Sequence, residues 1–330
     1  MIQEPKHQQE WAVLNKLGLT PMFQVRRFDD GRGGRFYYWK DENGKTTIGT
    51  GITTILSKVM PESPELTNWK LKHGADYHKV LNLSAAYGTA LHECIQEWLI
   101  NRSIPNDLIE RAVQSAVANG QNPKMVHKDL AAFMKFEEDY KLEPILIEAM
   151  LPFSAGNGYH GVTAMDLICN LKIQTKEKVV VQDGVYQRGE KKGQPKLTEV
   201  TQYTDHVVQA AIDFKSNFFE KEKKSFYETH MYQLLAGRKA IKENFGITIN
   251  DLFNWSPNNW RSEPSYVLHR WNFSVEDTET LYLLFDLAGR KGVFTPSGHV
   301  TIVPEAYNSE TTWRDVYYKT YQELAEADNL

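Results

Sequence analysis

Hydrophobic and polar positions change rhythm several times along the chain, and each rhythm predicts a different element. A short helical pattern opens the sequence, followed by irregular chain ending in Gly31-Arg32-Gly33-Gly34-Arg35. Phe36-Tyr37-Tyr38-Trp39-Lys40 and Lys45-Thr46-Thr47-Ile48 then flank Asp41-Glu42-Asn43-Gly44, a hairpin closed by Asn-Gly. From Ser84 to Ile100 the positions Ala85, Leu91, Ile95, Trp98 and Leu99 recur at helical spacing, with Ser84 as the expected N-cap. Asp107–Ala118 and Val126–Leu142 read as two further helices, separated by Asn119-Gly120-Gln121-Asn122-Pro123. Ile145–Phe153 and Thr163–Ile173 read as strands. In the second, Met165, Leu167, Cys169, Leu171 and Ile173 face one way, and Asp166, Ile168, Asn170 and Lys172 the other. Lys178–Gln182 is expected to pair back as a hairpin, and Val207–Lys215, mostly apolar, to be a central strand. Glu228–Asn244 returns to helix and stops at Gly246; Tyr266–Trp271 reads as strand, and Val275–Leu287 and Glu310–Glu326 as helices. Helices, then strands, then helices predict an α/β (α+β) fold, a central mixed β-sheet flanked by helices.

Charge narrows the partners. With 38 basic against 42 acidic residues the net charge is -4, so any site for a polyanion is a local patch. Lys172 to Lys196 carries seven basic residues (Lys172, Lys176, Lys178, Arg188, Lys191, Lys192, Lys196) against Glu177, Asp183 and Glu190. Phe23 to Lys40 carries Arg26, Arg27, Arg32, Arg35 and Lys40 against Asp29 and Asp30, among the rings Phe36, Tyr37, Tyr38 and Trp39. Cations mixed with rings suit single-stranded nucleic acid, although a solvated hairpin with packed aromatics has the same composition. Glu305 to Leu330 is acidic and is expected to face away from such a partner. Two cysteines, Cys94 and Cys169, cannot build a disulfide framework or a four-cysteine cluster, so no iron–sulfur cluster is expected. No apolar run is long enough to span a bilayer and the N-terminus has no signal-peptide core; a soluble, cytoplasmic protein with no membrane partner is expected.

The candidate chemistry begins at Ile212-Asp213-Phe214-Lys215. Residues two apart on a strand share a face, so Asp213 and Lys215 project together, either as a strand-end ion pair or as a working carboxylate and ammonium. Asp166 is the one carboxylate on its strand. On a strand neighbouring that of Asp213 it would bring a second carboxylate to the same point, a set suited to Mg²⁺ or Mn²⁺; alone it is equally an edge-strand aspartate. His92 follows Gly88 by one helical turn, and a glycine there lets the helix approach another element closely. His92-Glu93-Cys94-Ile95-Gln96 is not a zinc-protease motif, because position 96 is Gln.

Taken in order, Gly88-Thr89-Ala90-Leu91-His92, Gly161-Val162-Thr163-Ala164-Met165-Asp166, Ile212-Asp213-Phe214-Lys215 and His230-Met231-Tyr232-Gln233-Leu234 resemble the RecB-like branch of the PD-(D/E)XK nucleases. Ile52-Thr53-Thr54-Ile55-Leu56 with Leu66 and Trp69 resembles the lead-in common in that branch, and the likeness runs from about Gly51 to Arg238. Two departures stand out. Gly237 occupies a place where many relatives carry a Tyr, and the four cysteines of the cluster-bearing members are missing, so the cluster-free exonucleases are the better comparison.

The resemblance implies a restriction-endonuclease-like core over 51–245 with a basic insertion at 174–199. Residues 1–50 would form an N-terminal extension and 246–330 a C-terminal α/β extension packed on the core. It further implies Mg²⁺ or Mn²⁺ held by His92, Asp166, Asp213 and the Phe214 backbone carbonyl, with Glu148 as an accessory ligand. Lys215 would stabilise charge on phosphorus and Gln233 would orient the lysine or the water. The expected activity is hydrolysis of DNA from single-stranded ends in recombination, replication or repair, in a phage setting. Arg32, Arg35, Tyr37, Arg188, Lys191 and Lys192 would hold the strand, and the basic insertion is expected to emerge close to the site. Two other readings use the same residues: a structure-specific endonuclease on this core, and a nucleic-acid-binding protein without turnover.

Overall fold

The structure is a computed structural model that describes residues 25–29, 34–41, 43–216, 226–258, 262–296 and 301–302. Arg32 and the helices expected near the N-terminus and over Glu310–Glu326 lie outside them. In chain order the strands are β1 (Arg26–Asp29), β2 (Arg35–Lys40), β3 (Thr46–Gly51), β4 (Glu143–Gly156), β5 (Tyr159–Val185), β6 (Pro195–Phe214), β7 (Asp251–Pro257), β8 (Tyr266–Arg270) and β9 (Thr301–Ile302). The helices are α1 (Ile52–Val59), α2 (Pro64–His73), α3 (Tyr77–Asn101), α4 (Asn106–Ala118), α5 (Lys124–Tyr140), α6 (Glu228–Phe245) and α7 (Val275–Arg290).

Among the described residues all nine strands join one sheet in the order β8-β7-β6-β5-β3-β2-β1-β9, with β4 paired to β5 off that path. The β3/β5 and β6/β7 pairs are parallel and the rest antiparallel, so the fold is α+β with a mixed sheet flanked by helices. Strands of the expected N-terminal extension, core and C-terminal extension are thus hydrogen-bonded into a single layer. One face is buried against α1, α6 and α7 through Ile55, Leu234, Leu235, Ala240, Leu281 and Phe285. The other is buried against α3, α4 and α5 through Leu91, Ile95, Ala112, Phe133 and Phe136. Covering both faces explains why the inner end of β6 reads as an apolar run rather than an alternating one.

Local chemistry accounts for most element ends. Gly44 adopts φ +74° in the β2–β3 turn, where the Asp41 side chain accepts from the backbone N–H of Asn43 and Lys45 (both 2.9 Å). Gly246 closes α6 with φ +71°, and Ser274 caps α7 by accepting from Asp277 N–H at 3.2 Å.

Several expectations are corrected. Ser84 is not an N-cap: α3 starts seven residues earlier, at Tyr77, and Ser84 donates from its side to Asn119 Oδ1 at 3.4 Å. Helical packing against the neighbouring loop outweighs the capping preference of a serine there. The alternation of β5 is not uniform either. Met165 packs with Ile168 on the α6 side, whereas Leu167, Cys169 and Leu171 pack on the α3 side. The partner strand shows the same slip, Ile147 on one face and Ala149 on the other, around Glu148, whose φ of +52° is left-handed. One residue in that conformation rotates the strand locally and turns side chains that a regular pleat would separate. β7, α1, α2 and β1 have no counterpart among the expected elements; Leu252-Phe253-Asn254-Trp255 is too short an apolar run for its period to be read.

The hairpin expected at Lys178–Gln182 is part of a much longer one. β5 and β6 pair continuously from Leu167↔Ile212 to Gln182↔Leu197 and again at Val185↔Pro195.

Candidate active site

β5 is the strand that creates the site, because two different strands share one of its edges. β3 pairs at Thr50↔Gly161 and Gly51↔Val162, and β6 begins only at Ile212↔Leu167. Residues 163–166 of β5 therefore face an opening where neither strand continues. β3 runs parallel to β5 and β6 antiparallel to it, so their C-terminal ends, Gly51 and Phe214, point toward each other across the opening. A cleft of ≈ 680 Å³ sits there, lined among others by Gly51, Ala164, Asp166, Asp213, Lys215 and Gln233. Such forks in a sheet are where strand ends leave room for a ligand.

Three ligating groups converge at the cleft wall, where His92 and Asp166 line it and Glu148 stands behind them. His92 from α3, Glu148 from β4 and Asp166 from β5 each offer an atom within 4.8 Å of the others. His92 Nδ1 lies 3.6 Å from Glu148 Oε1 and 3.8 Å from Asp166 Oδ2. The rotation at Glu148 makes this possible by presenting Glu148 and Asp166 on the α3 side. Gly88 brings α3 in: a Cβ there would lie 2.7 Å from Ser216 Oγ, so the helix passes directly over the chain after Lys215. His92 is held edge-on to Phe214 at 5.6 Å, above the cluster of Phe133, Phe214 and Trp255.

Burial and charge compete in this group. Burial lifts the Asp166 carboxyl to about 6, with His92 pulling against it and Glu148 adding to it. Burial opposes the imidazolium of His92, but Asp166 and Glu148 together outweigh it and raise His92 to about 9. Two carboxylates around one position have a positive charge as their natural complement. One imidazole nitrogen with two carboxylates fits a divalent ion of the Mg²⁺ or Mn²⁺ kind, which completes its shell with water and phosphate oxygens.

Beside this group stands a lysine with defined partners. Lys215 Nζ donates to Asp213 Oδ1 (2.9 Å) and Oδ2 (2.7 Å) and to Gln233 Oε1 of α6 (3.3 Å). Asp213 is 4% exposed, and burial raises its carboxyl above the usual range while Lys215 draws it down. Asp213 and Lys215 do project together, as strand geometry requires. Asp213, expected as a metal ligand, lines the cleft but is not one of the three groups that share the 4.8 Å cluster. Its oxygens are engaged by Lys215 and by Asn254 Nδ2.

The Phe214 N–H donates to Asp166 Oδ2 at 2.6 Å, tying the two strands across the opening. In an extended strand the N–H and C=O of one residue point the same way, so the Phe214 carbonyl also faces the β5 side.

The other expected residues divide. Arg35 and Tyr37 of β2 line the cleft. Arg188, Lys191 and Lys192 do not approach it. They sit in the β5–β6 loop, and Val185 is nineteen residues beyond Asp166 along β5, about 60 Å at ~3.3 Å per residue. The basic insertion leaves the site strands at the end opposite the cleft, because continuous pairing prevents it from folding back. Gly237 of α6 leaves space that the Met165 thioether fills.

Asn254 and Trp271 escape a sequence reading. Asn254, fully buried on β7, donates to the Asp213 carboxylate and carbonyl, and its own Oδ1 accepts from Trp271 Nε1 at 2.7 Å. The available signal was a single amide inside the apolar run Leu252-Phe253-Asn254-Trp255. His230, one turn before Gln233, accepts the Tyr227 N–H at Nδ1 (3.3 Å). Compared with protein-family models and with curated proteins, the chain matches none.

Proposed function

We propose that the chain is a divalent-metal-dependent nuclease of the PD-(D/E)XK type, hydrolysing phosphodiester bonds in DNA from single-stranded ends. The observation that carries the reading is the convergence of His92, Glu148 and Asp166, of which His92 and Asp166 line the same cleft as Lys215. In this reading His92, Glu148 and Asp166 hold Mg²⁺ or Mn²⁺, with Asp213 and the Phe214 carbonyl at its margin. A bound ion would supply Lewis acidity toward the scissile phosphate and a water nucleophile near neutral pH.

The remaining work falls to side chains. Lys215 carries the positive charge that meets charge developing on the phosphate, and Asp213 and Gln233 hold its ammonium in place, so no reorganisation is needed during reaction. Arg35, on the rim, is positioned to meet a backbone phosphate, whereas Tyr37, expected to hold the strand, is buried against Val25, Trp39 and Val162 and offers no free ring. The cleft is bounded by α3 on one side and by β2, β3 and α2 on the other, through Trp69 and Leu66. A bounded approach favours a flexible single strand over a duplex and a free end over an internal site.

End-labelled linear and circular single strands, each with and without Mg²⁺ or Mn²⁺, test the proposal. Metal-dependent loss of the linear strand alone is expected; no hydrolysis with either ion overturns the nuclease reading, and equal cutting of circles overturns end dependence.

A further inference from the structure

Beyond the sheet, β5 and β6 continue as a ribbon. β4 stops pairing at Glu143↔Asn170 and β7 begins at Asp251↔Ala210, so further out the described strands of the ribbon have only each other. From Gln174↔Asp205 to Val185↔Pro195 that is roughly 36 Å at ~3.3 Å per residue. Both faces are largely exposed and mixed, with Thr175, Glu177, Val181, Val200 and Gln202 on one and Lys176, Lys178, Val180, Leu197 and Tyr203 on the other. A two-stranded ribbon in water is marginal by itself.

Its charge is arranged along its length. In the shaft, Lys172 pairs with Asp205, Lys178 with Glu199 and Lys196 with Asp183. At the tip, 186–194, Arg188, Lys191 and Lys192 stand against Glu190 alone. The tip is a closed loop, with Tyr186 N–H donating to Gln194 O (3.0 Å) and Gly193 N–H to Tyr186 O (2.9 Å). Gly189 and Gly193 supply the left-handed turns at φ +80° and +84°. Three cations are thus presented at the end of a neutralised stalk. The one ring there, Tyr186, has Lys191 over one face at 5.9 Å, so the tip offers single-stranded bases at most one stacking face, not a row of them. A two-stranded ribbon is of a width that the major groove of a duplex admits.

We infer that the β5–β6 arm is an anchor for duplex DNA, gripping phosphates with Arg188, Lys191 and Lys192 at a distance from the cleft. The inference rests on the nuclease reading and adds a substrate class to it: a duplex carrying a single-stranded end. At about 60 Å from Asp166, tip and cleft together span about 18 base pairs at ~3.4 Å each.

Binding measured in EDTA, where no turnover occurs, isolates the arm. The full chain and R188A/K191A/K192A are compared on a duplex of about 30 base pairs, which exceeds that span, and on a single strand of equal length. The variant should bind the duplex more weakly, with a slope of log affinity against log salt shallower by about 2.7, three phosphates at ~0.9 each. R188K/K191R/K192R should retain both. Equal duplex affinity and slope in wild type and R188A/K191A/K192A overturn the anchor. So does an equal loss on the single strand, or a dimer that the variant converts to monomer in sedimentation, which would make the arm a contact between copies. Hydrolysis of a strand of about four nucleotides by wild type with Mn²⁺, too short to reach the tip even when fully extended, tests the nuclease reading separately.

Discussion

Asn254 donates from one amide nitrogen to both the side chain and the backbone carbonyl of Asp213, the latter at 3.2 Å. The orientation of that amide is set from behind, since Trp271 Nε1 can only donate and Asn254 Oδ1 accepts from it. Asp213 Oδ2 is thereby held by Asn254 as well as by Lys215. Replacing Asn254 by Leu leaves the Trp271 N–H unpaired and the Asp213 carboxylate short of a donor. It should lower stability by about 1–3 kcal/mol. Hydrolysis should fall with it, whereas Asn254→Asp, which keeps the acceptor for Trp271 but sets a carboxylate against Asp213, should lose more activity than stability. Denaturant midpoints and initial rates on the same preparations check this; unchanged rates in both variants remove Asn254 from the site.

Lys215→Ala should reduce hydrolysis by ~10²-fold or more, because the ammonium acts mainly on charge that develops in the transition state. Single-turnover rates at saturating metal are the measurement, with circular dichroism melting as the control. A rate within a few-fold of wild type assigns the lysine to the Asp213 ion pair alone.

His92→Ala should alter the choice of ion more than it alters nucleic-acid affinity. Removing the one nitrogen from the His92, Glu148, Asp166 group leaves oxygen ligands only, so binding of Mn²⁺, which accepts nitrogen more readily than Mg²⁺, should weaken most. Calorimetric titration of both ions into wild type and variant decides it. An identical preference in the two proteins makes His92 a packing residue on Phe214.

His230 predicts an acid-side loss of stability. Burial, with Lys215 adding to it and Asp213 opposing, lowers its imidazole to about 4, and a neutral Nδ1 is what accepts the Tyr227 N–H. The folded-state value is depressed below the ordinary ~6.5, so the unfolded chain takes up the proton first. The contribution is present above about pH 6.5 and is lost as pH falls toward 4. His230→Asn, which keeps an acceptor for Tyr227, should flatten the pH dependence of the denaturant midpoint in that window. Parallel curves for variant and wild type would show that His230 titrates normally.

Gly161→Ala should destabilise the fold by about 1–3 kcal/mol. A Cβ at 161 runs into the buried ring of Phe153, which is backed by Phe285 at 5.3 Å and has nowhere to move. Pairing Gly161→Ala with Phe153→Leu should recover part of the loss in thermal melts; no recovery would place the strain elsewhere.

Much of this protein was legible in its residues, for a definable reason. Helical and strand periods are local, so α4, α5, α6 and α7 fall within a few residues of their expected limits, and the Asn-Gly turn closes β2 on β3. The pairing of Asp213 with Lys215 follows from the two-residue period of a strand, and the approach of α3 at Gly88 from the absence of a side chain. What the tertiary structure decided is non-local. The opening along β5 exists because β3 and β6, far apart in sequence, take turns on one edge, and no local pattern encodes that sharing. Glu148 reaches His92 through a left-handed backbone angle at a non-glycine residue, a conformation its side chain gives no reason to expect. Asn254 depends on β7 lying beside β6, which only the sheet order establishes. The basic insertion carries its charges to the far end of a ribbon because cross-strand pairing runs on without a break to Gln182, a length that composition leaves open.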